Sequence, residues 1–280
     1  NVVDFKRAAT VAYHTVLAHA SAVKAYRDGA WAGEIGIVLN LTPSYPRSQH
    51  PADVKAANYA DLFFNRSFLD PVLRGSYPDE LVAVLKEYDQ LPACQPGDKA
   101  LIEEGVIDLL GINYYQPRRV KCRDSAINKE APFMPEWLFD YYEMPGRKMN
   151  PYRGWEIYEP GIYDILTNLR INYGNPRCFI SENGMGVENE QRFIQDGQIN
   201  DQYRIDFVTG HLQWLHKGIT EGSRCLGYHM WTFIDNWSWC NGYKNRYGFI
   251  QLDLATQQRT IKRSGEWFAA VSANNGFEKE

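Results

Sequence analysis

Glu182, Tyr115 and Asn113 stand where their side chains could do chemistry. Glu182 follows the apolar run Arg177-Cys-Phe-Ile-Ser181 and precedes Asn183-Gly-Met-Gly186. A carboxylate there leaves a buried strand just as two glycines let the backbone turn sharply. It can attack an electrophilic carbon or accept a proton. The same placement suits a strand-end salt bridge, and position alone does not separate the two readings. Leu110-Gly-Ile-Asn-Tyr-Tyr115 sets an amide and a phenol at the end of another apolar run. Trp231 closes a third run, Arg224-Cys-Leu-Gly-Tyr-His-Met230. Aromatic residues make up 14%, with eight Trp and eighteen Tyr, and their faces can stack on sugar rings as well as fill a large core.

The elements that must position these groups alternate along the chain. Residues 4–28 read as a helix, with Val11, Ala12, Val16, Ala20 and Val23 at helical spacing. Strands are predicted over 35–41, 106–112, 177–181 and 224–230. Each is a short, nearly continuous apolar run, as in a parallel sheet buried on both faces. Helices are predicted over 51–66, 79–89, 160–172, 200–221 and 262–273, and 116–153 reads as a loop excursion. Strands alternating with helices imply βα units and a parallel sheet in one domain, residues 1–280. Asn40, Asn113, Tyr115, Glu182 and Trp231 all fall at or just past strand ends, where parallel α/β folds place their sites. On pattern alone a barrel and an open doubly wound sheet both remain. No G-x-G-x-x-G or P-loop run points to a nucleotide.

Bulk composition narrows the function classes. The chain has 280 residues, 44% of them hydrophobic, so a substantial core is within reach. A net charge of -4 with no basic block argues against a nucleic-acid partner. No apolar run approaches the roughly 20 residues that span a bilayer. Five cysteines with no C-x-x-C spacing argue against a disulfide framework or zinc site and favour a reducing compartment.

The motifs resemble glycoside hydrolase family 1. Ile180-Ser-Glu-Asn-Gly184 is similar to the family's I/V-T-E-N-G nucleophile motif, with Ser181 for Thr. Leu110–Tyr115 is similar to its F-x-G-x-N-Y-Y run, and Gly154-Trp-Glu-Ile-Tyr158 to its G-W-E-I-Y segment. Asp201–Asp206 with His211, Trp231-Thr-Phe-Ile-Asp-Asn236, Tyr247–Asp253 and Arg263-Ser-Gly-Glu-Trp267 match further family segments in order. The resemblance implies a (β/α)8 barrel, of which this chain would be the C-terminal half, about strands five to eight. It implies a retaining β-glycosidase with two carboxyl groups roughly 5–5.5 Å apart. Glu182 would be the nucleophile, Tyr115 its hydrogen-bond donor, and Asn113 a neighbour of the acid/base group. Trp231 would lie under the sugar and Trp155 towards the leaving group. The family's acid/base carboxylate comes from a T-x-N-E-P run, and no N-E-P occurs here. The chain is therefore expected to start just after it, to need the N-terminal half of the barrel as a partner, and to be inactive alone.

The loop Asn236-Trp-Ser-Trp-Cys-Asn-Gly-Tyr-Lys-Asn-Arg-Tyr247 bears on the sugar. By the resemblance, β-glucosidases carry Glu where Ser238 stands, and 6-phospho-β-glycosidases carry Ser followed by Lys and Tyr. Ser238 and Tyr247 match the second pattern, Asn245 occupies the usual Lys position, and Lys244 lies one residue earlier. Trp239 occurs at the matching position in phospho-β-galactosidases and dual-specificity members, so gluco and galacto preferences both remain open. The expected substrate is a 6-phospho-β-glycoside, the expected location the cytoplasm, and no metal or organic cofactor is implied. A β-glucosidase for plain sugars and a catalytically silent sugar-binding half-barrel are the alternatives.

Overall fold

The computed structural model describes residues 4–128 and 130–278. Its centre is a four-stranded parallel sheet: β1 (Gly36–Asn40), β2 (Leu109–Asn113), β3 (Cys178–Glu182) and β4 (Cys225–Tyr228), paired in that order. A doubly wound sheet reverses its strand order at a switch point, whereas a barrel runs on in sequence. The unbroken order β1-β2-β3-β4 therefore decides for a barrel-type sheet. Among the described residues β1 and β4 are its two open edges.

Helices cover one face. α1 (Phe5–Asp28) starts at Asp4, whose side chain accepts from the Arg7 N–H at 3.0 Å, and buries Tyr13, Val16, Ala20 and Val23 on one stripe. α6 (Pro160–Asn172) and α7 (Gln202–Thr220) pack against each other and the sheet. Leu110, Ile112, Ile162, Leu166, Leu169, Ile180 and Leu215 form the core between these layers. The other face is different. The apolar runs predict burial on both sides, but Val38 is 49% exposed and Leu226 56% exposed. Among the described residues no strand completes that concave side.

Two further elements differ from the sequence reading. The helix predicted to end at residue 66 continues as α2 (Pro51–Asp61), a π turn (Leu62–Arg66) and α3 (Ser67–Arg74). The π turn aims buried Asn65 at the chain leaving β1, where its amide meets both the N–H and C=O of Thr42 at 2.9 Å. The predicted excursion over 116–153 contains Arg118–Lys121. This strand pairs in parallel with Ser44–Pro46 and antiparallel with Asp140–Tyr141. α4 (Asp79–Glu87) is where the sequence reading places it, whereas α5 (Asp98–Glu104) was not predicted. The last helix, α8 (Arg263–Asn274), packs on α7.

His211 is fully buried on α7, with Nδ1 2.8 Å from the Phe207 carbonyl. Burial pushes its pKa down from 6.5 to about 4. As pH falls below 6.5 the unfolded chain takes up this proton before the native one does. The stability is therefore fully present above pH 6.5 and drains away as pH falls towards 4. Between pH 7 and pH 5 the expected loss from this group is about 2 kcal/mol. Urea unfolding at the two pH values measures it, and His211→Gln should shrink the difference by that amount. An unchanged difference refutes the assignment.

Candidate active site

Glu182 reaches the sheet's carboxyl end through an irregularity in the β2–β3 ladder. Ile112 pairs with Ile180, but Asn113 pairs with Glu182, so Ser181 is skipped. Strict alternation would put Ser181 on the concave side and turn Glu182 towards the helices. The extra residue re-aims the carboxylate, as bulges beside active sites do. Tyr115 then donates from its hydroxyl to Glu182 Oε2 at 2.7 Å. Burial, and next the bond to Glu182, hold the Tyr115 phenol well above its usual range, so it stays a donor.

Ser181 has its own task. Its hydroxyl donates to Asn113 Oδ1 at 2.7 Å, which fixes the amide and leaves its N–H groups for the site. Asn183 is wholly buried below. It donates to the Tyr114 carbonyl and accepts from the Tyr228 hydroxyl, both at 2.7 Å, and so ties β2, β3 and β4 together under the site. The Trp155 ring stands 5.4 Å from Tyr115.

The glycines after Glu182 work by absence of bulk. Neither Gly184 nor Gly186 has a positive φ, so the expected sharp turn is not their role. A Cβ on Gly184 would sit 1.9 Å from the Trp231 carbonyl oxygen, and one on Gly186 would sit 2.4 Å from the Tyr247 ring. These two positions let the loop after β4 close on the strand that carries Glu182. The Trp231 N–H donates to the Asn183 carbonyl at 2.8 Å, and the Trp231–Thr232 peptide is cis.

Glu182, Tyr115, Asn113 and Trp155 are thus brought together, and Trp231 and Tyr247 pack against Gly184 and Gly186 just past the strand that ends at Glu182. Ser238 closes a tight hairpin with Gly242 through reciprocal backbone bonds of 2.9 and 2.8 Å. Trp239 projects from its tip, 90% exposed, with its ring 5.0 Å from Trp237. Lys244 points outward, its side chain 66% exposed, and pairs with Glu188 at 3.2 Å.

Sequence reasoning missed the clamp beneath these loops. Arg204, at the start of α7, donates to Asp201 at 3.0 Å, to the Met185 carbonyl at 2.7 Å and to Glu190. Lys262, entering α8, donates to Glu190 at 2.5 Å and Asp235 at 2.9 Å, and Asp235 accepts from the Gly248 N–H at 2.9 Å. All five side chains are buried. Burial pushes the Glu190 carboxyl up, but the charges of Arg204 and Lys262 outweigh it and the net shift is down. Asp201, Arg204 and Asp235 lie in motif segments named above, but no local pattern joins them to Glu190 and Lys262. Also missed was Arg153, whose guanidinium lies 4.4 Å over the Trp155 ring.

Among the described residues no group of His, Cys, Asp and Glu side chains could hold a metal ion, and no helix is long and apolar enough to cross a membrane.

Residues 2–277 match the family model for glycosyl hydrolase family 1. The chain is 58% identical over 279 residues to the 6-phospho-beta-glucosidase GmuD of Bacillus subtilis, covering 99% of this chain and 60% of that protein. It is 36% identical to a beta-glucosidase of an Agrobacterium species, covering 99% and 57%. The family 1 beta-glucosidase structure from Thermotoga maritima in complex with deoxynojirimycin superposes with a TM-score of 0.85 at 34% identity, covering 98% of this chain and 59% of that one. The chain thus spans about 60% of the length of these relatives. A family model that matches nearly the whole chain, with relatives of this identity, shows that the chain belongs to glycosyl hydrolase family 1.

Proposed function

We propose that this chain carries the nucleophile half of a retaining β-glycosidase acting on 6-phospho-β-glucosides. The observation that carries the reading is the Tyr115–Glu182 bond at the sheet's carboxyl end. In the first step a Glu182 oxygen attacks the anomeric carbon while a second carboxyl group protonates the leaving oxygen. In the second step water, deprotonated by that second group, releases the sugar from Glu182. Asn40, Asn113 and His229, at the ends of the other strands, are not carboxylic acids. The proton donor accordingly comes from the rest of a closed barrel, which joins the open edges at β1 and β4. Trp231 and Trp155 offer stacking faces, and Asn113 a donor towards the sugar.

The phosphate preference draws support from Ser238, which removes a carboxylate from the loop, and from the name of the 58% identical relative. A plain β-glucosidase is the second reading, favoured by the Lys244–Glu188 pair, which occupies the expected phosphate cation. The test compares turnover of nitrophenyl β-D-glucoside with its 6-phosphate in the complete enzyme. A preference of about tenfold or more for the phosphate, the worth of one charge-assisted contact, is expected. Equal rates select the plain β-glucosidase. The 280-residue chain assayed alone is expected to turn over neither compound, and turnover there overturns the proposed division of carboxyl groups.

A further inference from the structure

We propose that Arg153, rather than Lys244, is the cation that receives the 6-phosphate. The proposal rests on the 6-phospho reading above and adds a residue that reading does not contain. Arg153 lies in the turn before Trp155, with its guanidinium carbon 4.4 Å over the Trp155 ring. Trp155 in turn packs on Tyr115, the donor to Glu182. The cation therefore stands two aromatic rings away from the nucleophile.

The hairpin loop comes to meet it. Asn245 is buried, and its amide donates to the Tyr152 carbonyl at 3.4 Å. That bond holds the loop against the turn that bears Arg153. The Asn241 side-chain amide lies directly against the Arg153 guanidinium. Tyr247 lies close enough that the Arg153 charge opposes the upward push of burial on its phenol. The guanidinium thus lies between the Trp155 ring and the Asn241 and Tyr247 side chains, on the loop that also carries Ser238.

Arg153 is incompletely satisfied. Its Nε is buried and meets no acceptor among the described residues. A buried donor on a charged group is costly to leave without a partner, and an oxyanion would supply one. A guanidinium can give a phosphate two parallel hydrogen bonds, and its plane suits stacking on an indole. Lys244 has neither advantage, being exposed and already paired with Glu188. Asn245 at the usual Lys position thus has a physical counterpart: it exchanges a direct phosphate ligand for a bond that docks the loop beside an arginine.

The experiment measures kcat/KM of the complete enzyme for nitrophenyl β-D-glucoside and for its 6-phosphate. The wild type is expected to prefer the phosphorylated compound. Arg153→Gln should lower kcat/KM for that compound about tenfold or more and leave the plain glucoside unchanged. Arg153→Lys should recover part of the loss, which a merely structural role would not show. Lys244→Gln should keep the preference. A wild type that prefers the phosphate, together with an Arg153→Gln variant that keeps the preference, overturns the Arg153 assignment and spares the substrate reading. A wild type with no preference overturns both.

Discussion

Glu182→Gln in the complete enzyme is expected to lower kcat about 10,000-fold or more, as loss of a covalent nucleophile does elsewhere. Gln keeps the size and an oxygen that can still accept from Tyr115, so folding should be unaffected. The amide cannot form the glycosyl ester, and the first step fails. Two companion measurements distinguish this from general damage. Glu182→Ala opens space at the attacking face, and added azide should then restore turnover and yield the α-glycosyl azide. Tyr115→Phe removes one hydrogen bond to a charged group and should cost only roughly 10- to 100-fold. A Glu182→Gln enzyme within tenfold of wild type would remove Glu182 from the mechanism.

Lys262→Met is expected to cost about 3–5 kcal/mol of stability, because it strands buried carboxylates without their cation. Lys262 is completely buried between Glu190 and Asp235. Without it Asp235 keeps Arg246 at 3.8 Å, and Glu190 keeps Arg204. The loss should spread to the site, since Asp235 also holds the Gly248 N–H in the loop that presents Tyr247. Urea unfolding measures the difference. The double variant Lys262→Met, Asp235→Asn should be more stable than the sum of the single changes, because it removes one stranded charge. A single variant within 1 kcal/mol of wild type would show the clamp to be dispensable.

The elements legible from sequence were those with strong local patterns. Each of β1 to β4 is an apolar run bounded by polar residues. α1 shows its stripe over 24 residues. α5 escaped because its seven residues bury only Ile102 and so carry no periodicity. Arg118–Lys121 escaped because its partner Ser44–Pro46 lies more than seventy residues upstream, and Arg-Arg-Val-Lys has no apolar alternation of its own. The stretch from Gly184 to Gly186 was recognised as special for the wrong physical reason. Its requirement is room for Trp231 and Tyr247, which no local conformational argument reveals.

Glu182, Tyr115 and Asn113 were therefore identifiable in the sequence by residue type and by place at strand ends. Their meeting was not. It depends on the skipped residue at Ser181, which sets Asn113 opposite Glu182 and turns the carboxylate to the concave side. Register is a relation between chains of contacts far apart in sequence, and a shift of one residue sends a side chain to the opposite face. Lys244 and Arg153 differ for the same reason. Their charges are equal in the sequence, but packing pairs one with Glu188 and holds the other over Trp155 with a donor unmet.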